Sequence, residues 1–317
     1  MVTKLNVPFS DIITIHWNNL IQDRTDLFPF ESPLWHSLWL KNFLHTPFEP
    51  YILSIEEKAI APFIRNGNTV SFSGGKEISD YMDIICPESE ICDVWPKILT
   101  FLKKDSIQTL TLSNIRENSK TYEYFISLQS SSPYKVTLEK EDTTPILSLP
   151  NTWDEYLTGL DRKSRHELKR KIKRFEETWG TEKISIQTTE NITILLELMK
   201  KDSKKREFLT ESMATFFHSL TISFPSEFEL LLLSVSDIPA AVIAGFSYLD
   251  TYLLYNSGFD EAVFSGAGLY LKAKSINRAI EKKMKTYNFL QGNERYKYEL
   301  GGKDFSVYTI TVNILKY

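Results

Sequence analysis

Two cysteines, Cys86 and Cys92, are all that this chain of 317 residues holds, and no histidine stands close to either in sequence. That scarcity fits a reducing compartment and speaks against a disulfide framework or a zinc site, so both read as packing residues. Long apolar runs are missing too. The longest, Ile238 to Phe246, is nine residues, about half of the ~20 that cross a bilayer, so no transmembrane helix is expected. In the first 30 residues Asp11 and Asn18-Asn19 interrupt every apolar stretch before it reaches an export-type core, and the expected location is the cytoplasm. Charge of one sign is also lacking. With 37 basic against 41 acidic residues, the molecule as a whole has no strong pull on nucleic acid or anionic membrane. No repeat at periods of 20 to 50 residues and no low-complexity segment is visible, which argues against solenoids and disordered arms.

What is present is core material: 42% hydrophobic and 13% aromatic residues, enough for one large core or two ordinary ones, with two domains expected. Charge is unevenly spread. Residues 1–150 hold 13 Lys and Arg against 19 Asp and Glu, whereas residues 151–317 hold 24 against 22. The pattern reads as mixed α/β. In the first half Ser32-Pro33 caps a helix carrying Leu34, Trp35, Leu38 and Trp39, followed by strands at 51–56, 59–64 and 69–73, the last two joined by the turn Arg65-Asn66-Gly67-Asn68. Helices near 91–103 and 120–128 and strands near 107–113 and 134–148 complete it. Asn151-Thr152 then caps a helical region over 153–178 that marks the domain boundary. The expected division is an N-terminal lobe over 1–150, a basic connecting helix over 151–180 and a C-terminal lobe over 181–317. That second lobe reads as a strand at 184–187, two helices, strands at 228–234, 240–248 and 252–258, a helix at 269–284, and strands at 286–290 and 306–314.

Three motifs carry chemistry. The first is Tyr255-Asn256-Ser257-Gly258-Phe259-Asp260, a short loop, and Ser265-Gly266-Ala267-Gly268 leading into a helix whose Leu269, Ala273, Ile276 and Ile280 form one apolar face. Glycines allow close approach of the backbone, and the helix N-terminus carries about half a positive charge, so free amides there are suited to a phosphate or pyrophosphate. A plain turn before an ordinary helix is the competing reading, and neither a Walker A nor a dinucleotide fingerprint is present. The second motif is basic: eight of the thirteen residues from Arg162 to Arg174 are Lys or Arg. Leu160, Leu168, Ile172 and Phe175 make a narrow apolar stripe, leaving the basic face to water or to a polyanion, whether nucleic acid, phosphorylated substrate or anionic membrane. The third is Gly292-Asn293-Glu294-Arg295-Tyr296-Lys297-Tyr298, just after a strand. Here a Lys suits stabilisation of a developing oxyanion and Glu294 suits acceptance of a proton from an attacking amine, with a surface ion pair as the alternative. His166 and His218 lack partner spacing and read as non-catalytic.

Taken in order, the basic helix, Tyr255 to Asp260, the Ser-Gly-Ala-Gly turn and the Gly-Asn-Glu-Arg-Tyr-Lys segment resemble the FemAB/CelD-like branch of the GNAT acyltransferase superfamily. Ser32-Pro33-Leu34-Trp35 and Ser79-Asp80-Tyr81-Met82-Asp83 resemble its early Ser-Pro-x-Trp and Asp-Tyr elements, so the likeness spans roughly residues 30–310. The resemblance implies an α/β (α+β) fold of two tandem GNAT-like lobes, each a mixed, mostly antiparallel sheet flanked by helices. It implies an acyltransferase with acyl-CoA such as acetyl-CoA as cosubstrate, no metal, and an amine acceptor on a sugar, polyamine or peptide, in polysaccharide or cell-envelope biosynthesis. A charged tRNA donor and a non-catalytic binding protein are the alternatives. Lys297, Glu294 and Tyr296 would be catalytic. Ser257, Ser265, Gly266, Ala267, Gly268 and Leu269 would hold the donor, and Arg162, Lys163, Arg165, Asp80, Tyr81 and Tyr255 the substrate. Two departures stand out: Ser265-Gly266-Ala267-Gly268 where the family often has Ser-Pro-Gly, and Asn288 where Asp is common.

Overall fold

Short apolar strands bounded by turn residues build two separate sheets in the computed structural model, which describes residues 1–5, 10–22, 24, 26–129 and 133–314. The chain falls into two units, Met1–Thr143 with Phe305–Tyr317, and Thr144–Asp304. Unit 1 comprises β1 (Val2–Lys4), α1 (Asp11–Ile21), α2 (Pro33–Phe43), β2 (Glu49–Ile55), β3 (Ala59–Asn66), β4 (Thr69–Phe72), α3 (Ile91–Lys104), β5 (Thr109–Arg116), α4 (Lys120–Leu128) and β6 (Lys135–Thr143), plus the last strand, Ser306–Asn313. Its seven-stranded sheet has the order β1-β2-β3-β4-β5-last strand-β6, and every pair is antiparallel except β4 with β5.

Ser32 caps α2 as expected, its hydroxyl accepting from the Trp35 amide at 3.2 Å with Pro33 at the first helical position. The apolar stripe of α3, Ile91, Val94, Trp95, Ile98, Leu99 and Leu102, is buried in the core beside the sheet residues. Trp95 meets Phe125 edge-on at 4.8 Å, and its indole donates to Thr121 at 2.9 Å. Cys86 belongs to this core, where burial pushes its thiol up to about 12. Cys92 does not: it is exposed on α3, so the packing role expected for both cysteines holds only for the first. Unit 1 also buries charge. Arg24 pairs with Asp26 at 3.0 Å and Glu31 at 3.2 Å, and Arg116 with Asp26 at 2.8 Å.

Unit 2 runs β7 (Ile146–Ser148), α5 (Trp153–Gly159), α6 (Arg162–Trp179), β8 (Ile184–Thr189), α7 (Ile192–Met199), α8 (Ser203–Phe208), α9 (Glu211–Ser223), β9 (Phe228–Val235), β10 (Ile238–Tyr248), β11 (Thr251–Phe259), α10 (Ala267–Glu281), β12 (Thr286–Asn288) and α11 (Arg295–Glu299). Its six-stranded sheet has the order β7-β12-β11-β10-β9-β8, mixed through the single parallel pair of β11 with β12. The apolar run Ile238 to Phe246 is the central strand β10, buried between two partners rather than in lipid, and among the described residues no helix is long and apolar enough to cross a membrane.

Two expectations of the sequence are corrected. The helix expected over 153–178 breaks at Asp161, whose carboxylate accepts from the Lys163 and Ser164 amides at 2.9 and 3.0 Å and so starts a new helix. This basic helix is no connector: Phe175 is buried and stacks on Tyr270 of α10 at 4.5 Å, a burial that stabilises by about 1.5–3 kcal/mol. The boundary itself lies at Thr143 and Thr144, and the last strand closes the sheet of unit 1 instead of ending the second lobe. β5 and β6 are joined through the last strand, Ser306–Asn313, which follows all of unit 2 in the chain and which no local pattern announces.

Candidate functional site

β11 and β12 pair only at Thr251–Thr286, Tyr252–Tyr287 and Leu253–Asn288. Beyond Leu253, β11 continues to Phe259 against β10 alone, with a bulge at Tyr255 where the register slips by one. The sheet therefore splits on the side where α10 begins. Gly258 makes this end of β11 possible: a Cβ there would lie 2.6 Å from the Met199 amide of α7. Gly266 then takes the left-handed conformation at φ 88 that an N-cap turn of this shape requires. Its amide and the Ser265 hydroxyl both donate to Glu261 Oε1 at 3.0 Å, and the Ala267 amide to Phe264 O. The amides of Gly268 and Leu269 have no acceptor among the described residues, and both residues line a cavity of about 460 Å³. Positive charge comes from α6: Arg170, Lys171 and Arg174 line the same space. Arg170 and Lys171 are shared with Glu167 at 2.7 and 3.6 Å, whereas Arg174 makes no side-chain ion pair among the described residues.

The glycine turn and the basic helix, separate motifs in the sequence, thus meet in one cavity. Which cations do so differs from expectation. Arg162 and Arg165 line neither this cavity nor a second, larger one of about 1170 Å³, which Lys163 borders together with His166, Arg295 and Tyr298. Arg170, Lys171 and Tyr296 border both spaces. Of the expected donor residues, Gly268, Leu269, Ser265 and Gly266 face the smaller cavity. Ala267 is buried, and Ser257 turns its carbonyl to the Lys205 ammonium at 2.5 Å instead. Tyr255 packs against Phe217 and Phe246. Asp80 and Tyr81 belong to unit 1, where Tyr81 is 1% exposed among Phe28, Phe30 and Phe305. A ring so enclosed is core, not a substrate contact.

Lys297, expected to steady an oxyanion, is 2% exposed and already surrounded. Its ammonium donates to the carbonyls of Leu290, Gln291 and Gly292 at 3.0, 2.5 and 3.1 Å, and Glu294 Oε2 lies at 3.0 Å. Three N–H donors against four acceptors leave none for an incoming oxygen. Gly292, at φ 113, lets the loop wrap this closely, since a Cβ there would sit 3.0 Å from the ammonium. Burial raises the Glu294 carboxyl, but the adjacent Lys297 outweighs it and holds the group below its usual range, which suits an ion-pair partner more than a base. Asn288 Oδ1 accepts from the Leu290 amide at 2.9 Å and sets the turn that starts this loop. Tyr296 keeps its phenolic proton, because burial and then Glu294 push it well above the ordinary tyrosine value.

The group that sequence reasoning missed is Lys272 on α10. It is 5% exposed, lines the smaller cavity, and holds its ammonium 4.9 Å from the Phe259 ring centre and 4.7 Å from that of Tyr296. Its spacing of four from Gly268, one turn along the same helix face, was the available signal. Among the described residues no cluster of three or more His, Cys, Asp and Glu converges as a metal site.

Residues 162–298 match the family model described as an acetyltransferase (GNAT) domain. No curated protein matches the chain. In structure the chain is similar to a conserved protein of unknown function from Bacteroides thetaiotaomicron, with 15% identity, TM-score 0.65, and coverage of 96% of this chain and 99% of that one. FemX aligns at 10% identity with TM-score 0.65 over 99% of this chain and 97% of its own. A tandem GNAT protein from the clavulanic acid biosynthesis pathway aligns at 10% identity with TM-score 0.54 over 100% and 99%. The fold is that of two tandem GNAT-like lobes, and the stretch that builds the cavity, residues 162–298, is the one that matches a GNAT acetyltransferase domain.

Proposed function

We propose that unit 2 binds a CoA thioester and transfers its acyl group to an amine, as the FemAB/CelD-like motifs of the sequence imply. The observation that carries this reading is the pair of unsatisfied amides at Gly268 and Leu269, opening into a cation-lined cavity beside a split sheet. Helix N-termini of this kind bind phosphate through backbone N–H groups and the helix dipole. Gly268, Leu269 and Arg174 would hold the donor's phosphates. The acceptor, a sugar amine, polyamine or peptide amine, would enter through the larger cavity beside Lys163 and Arg295. Tyr296 borders both spaces and keeps its proton, so its hydroxyl is suited to donate to the leaving sulfur. Lys297 and Glu294 act as positioning residues that lock the loop before α11. The C–N bond forms as the C–S bond breaks; the thiolate takes its proton from Tyr296, the nitrogen gives one up to solvent and Tyr296 regains one from solvent, so catalysis rests on positioning and needs no covalent enzyme intermediate.

A charged tRNA donor is the second reading, favoured by the exposed basic residues Arg162, Lys163, Lys169 and Lys173 along α6. Calorimetric titration with acetyl-CoA, with tRNA in parallel, separates the two. Saturable acetyl-CoA binding is expected, weakened about 100-fold in Gly268→Val, where the added Cβ meets the Phe259 ring at 2.9 Å and displaces the helix start. Silence towards acetyl-CoA with salt-sensitive tRNA binding selects the second reading.

A further inference from the structure

Lys272 is a buried amine without a counter-ion. Among the described residues its ammonium makes no hydrogen bond and no ion pair, although Lys272 lines the same cavity as Gly268 and Leu269, whose amides are unsatisfied. Side chains on a helix lean toward its N-terminus, so a lysine one turn after Gly268 reaches back to those amides. The groups around it are mostly positive. Lys205 faces it from α8 and Lys297 from α11, Arg170, Lys171 and Arg174 of α6 line the same space, and only Glu294 and Glu261 oppose them; Tyr296, the remaining titratable neighbour, is neutral. Burial first, and then Lys205 and Lys297, pull the amine down from 10.5 to about 7, against the two glutamates. The Phe259 and Tyr296 rings beside the ammonium offer it a cation–π contact but no opposite charge, and a desolvated cation stays short of one until a ligand supplies it.

We propose that Lys272 is the donor-sensing residue of this cavity: its amine takes a proton from solvent as a phosphate-bearing donor docks, and the ammonium then pairs with a phosphate oxygen. The inference rests on the CoA reading above. Its sign follows from linkage. The phosphate raises the affinity of Lys272 for its proton, so binding is tightest below pH 7 and weakens as pH rises from 7 toward the value reached in the complex. A one-unit rise on binding makes the affinity fall roughly tenfold between pH 6 and pH 9.

The test is calorimetry with coenzyme A from pH 6 to pH 9, each point in two buffers of different ionisation enthalpy, on wild type, Lys272→Arg and Lys272→Met. Coenzyme A carries a phosphate that titrates itself, but equally in every protein, so the difference from Lys272→Arg isolates the lysine. The expected result is proton uptake near pH 8 in wild type beyond that of Lys272→Arg, with the tenfold decline absent from both variants and Lys272→Met weaker than Lys272→Arg throughout. Matching pH profiles for wild type and Lys272→Arg overturn the inference while leaving the CoA reading intact. No coenzyme A binding by wild type at any pH overturns both.

Discussion

Both units bury charged side chains, and the Arg24–Arg116 cluster of unit 1 and Lys272 of unit 2 do so in opposite ways. In unit 1, Arg24 and Arg116 share Asp26 and Glu31, with Glu31 only 1% exposed and also capping the turn through the Phe28 amide. Each charge has an opposite neighbour within hydrogen-bond reach. In unit 2, Lys272, 5% exposed, lines an open cavity with no such neighbour among the described residues. Saturated charge is structure: it specifies one packing and gains nothing from a ligand. Unsatisfied charge beside free amides is a standing demand for an anion, and that contrast is what supports the proposal of a donor site in unit 2.

The sharpest way to break the comparison is to remove one charge from each cluster. Glu31→Ala leaves Arg24 and Arg116 with Asp26 as their shared counter-ion and should cost roughly 3 kcal/mol of unfolding free energy, read by denaturant titration. Lys272→Met removes a lone buried cation and should be neutral or stabilising by roughly 1 kcal/mol near pH 7. Because the folded-state value of Lys272 lies below its unfolded value of 10.5, the unfolded chain binds more protons between about pH 7 and 10.5. Wild-type stability should therefore rise over that range relative to Lys272→Met. A large loss in Lys272→Met would make the two clusters alike. Next in size, Arg174→Gln should weaken acetyl-CoA binding about tenfold and flatten its salt dependence; an unchanged affinity removes α6 from the donor site. Smallest, Glu261→Gln should tighten acetyl-CoA binding about twofold to fivefold, since a carboxylate now occupies the Gly266 amide and repels phosphate. Weaker binding would mean that Glu261 shapes the loop more than it opposes the ligand.

How much of this was readable in advance follows the range of the interactions. The turn before α10 was legible because a left-handed N-cap and a close approach to Phe259 both demand glycine, and glycine is visible as a letter. The basic run of α6 was visible too, but not its phase. Leu168, Ile172 and Phe175 fix the buried stripe, and only the neighbour across it, Tyr270 of α10, decides that Arg170 and Arg174 rather than Arg162 and Arg165 reach the cavity. Lys297 looked free because nothing in sequence shows three carbonyls folding back on it, a geometry that depends on Leu290 at φ 57 and Gly292 at φ 113. β1 and α1 had no periodic signal strong enough to name, and the partner of β6 lay at the far end of the chain.

That last partnership sets an order of events. Among the described residues β6 pairs within the sheet of unit 1 through Ser306–Asn313 alone, and β5, paired with β4 on one side, takes the same strand on the other. During synthesis a ribosome delivers all of unit 2 before it delivers the segment that zips β5 to β6. Unit 2 can reach its final form on the nascent chain, whereas unit 1 stays one strand short until Ser306–Asn313 has been made. A stop codon just upstream of Ser306 would then spare the cavity-bearing half and leave its companion with two unsealed sheet edges open to aggregation.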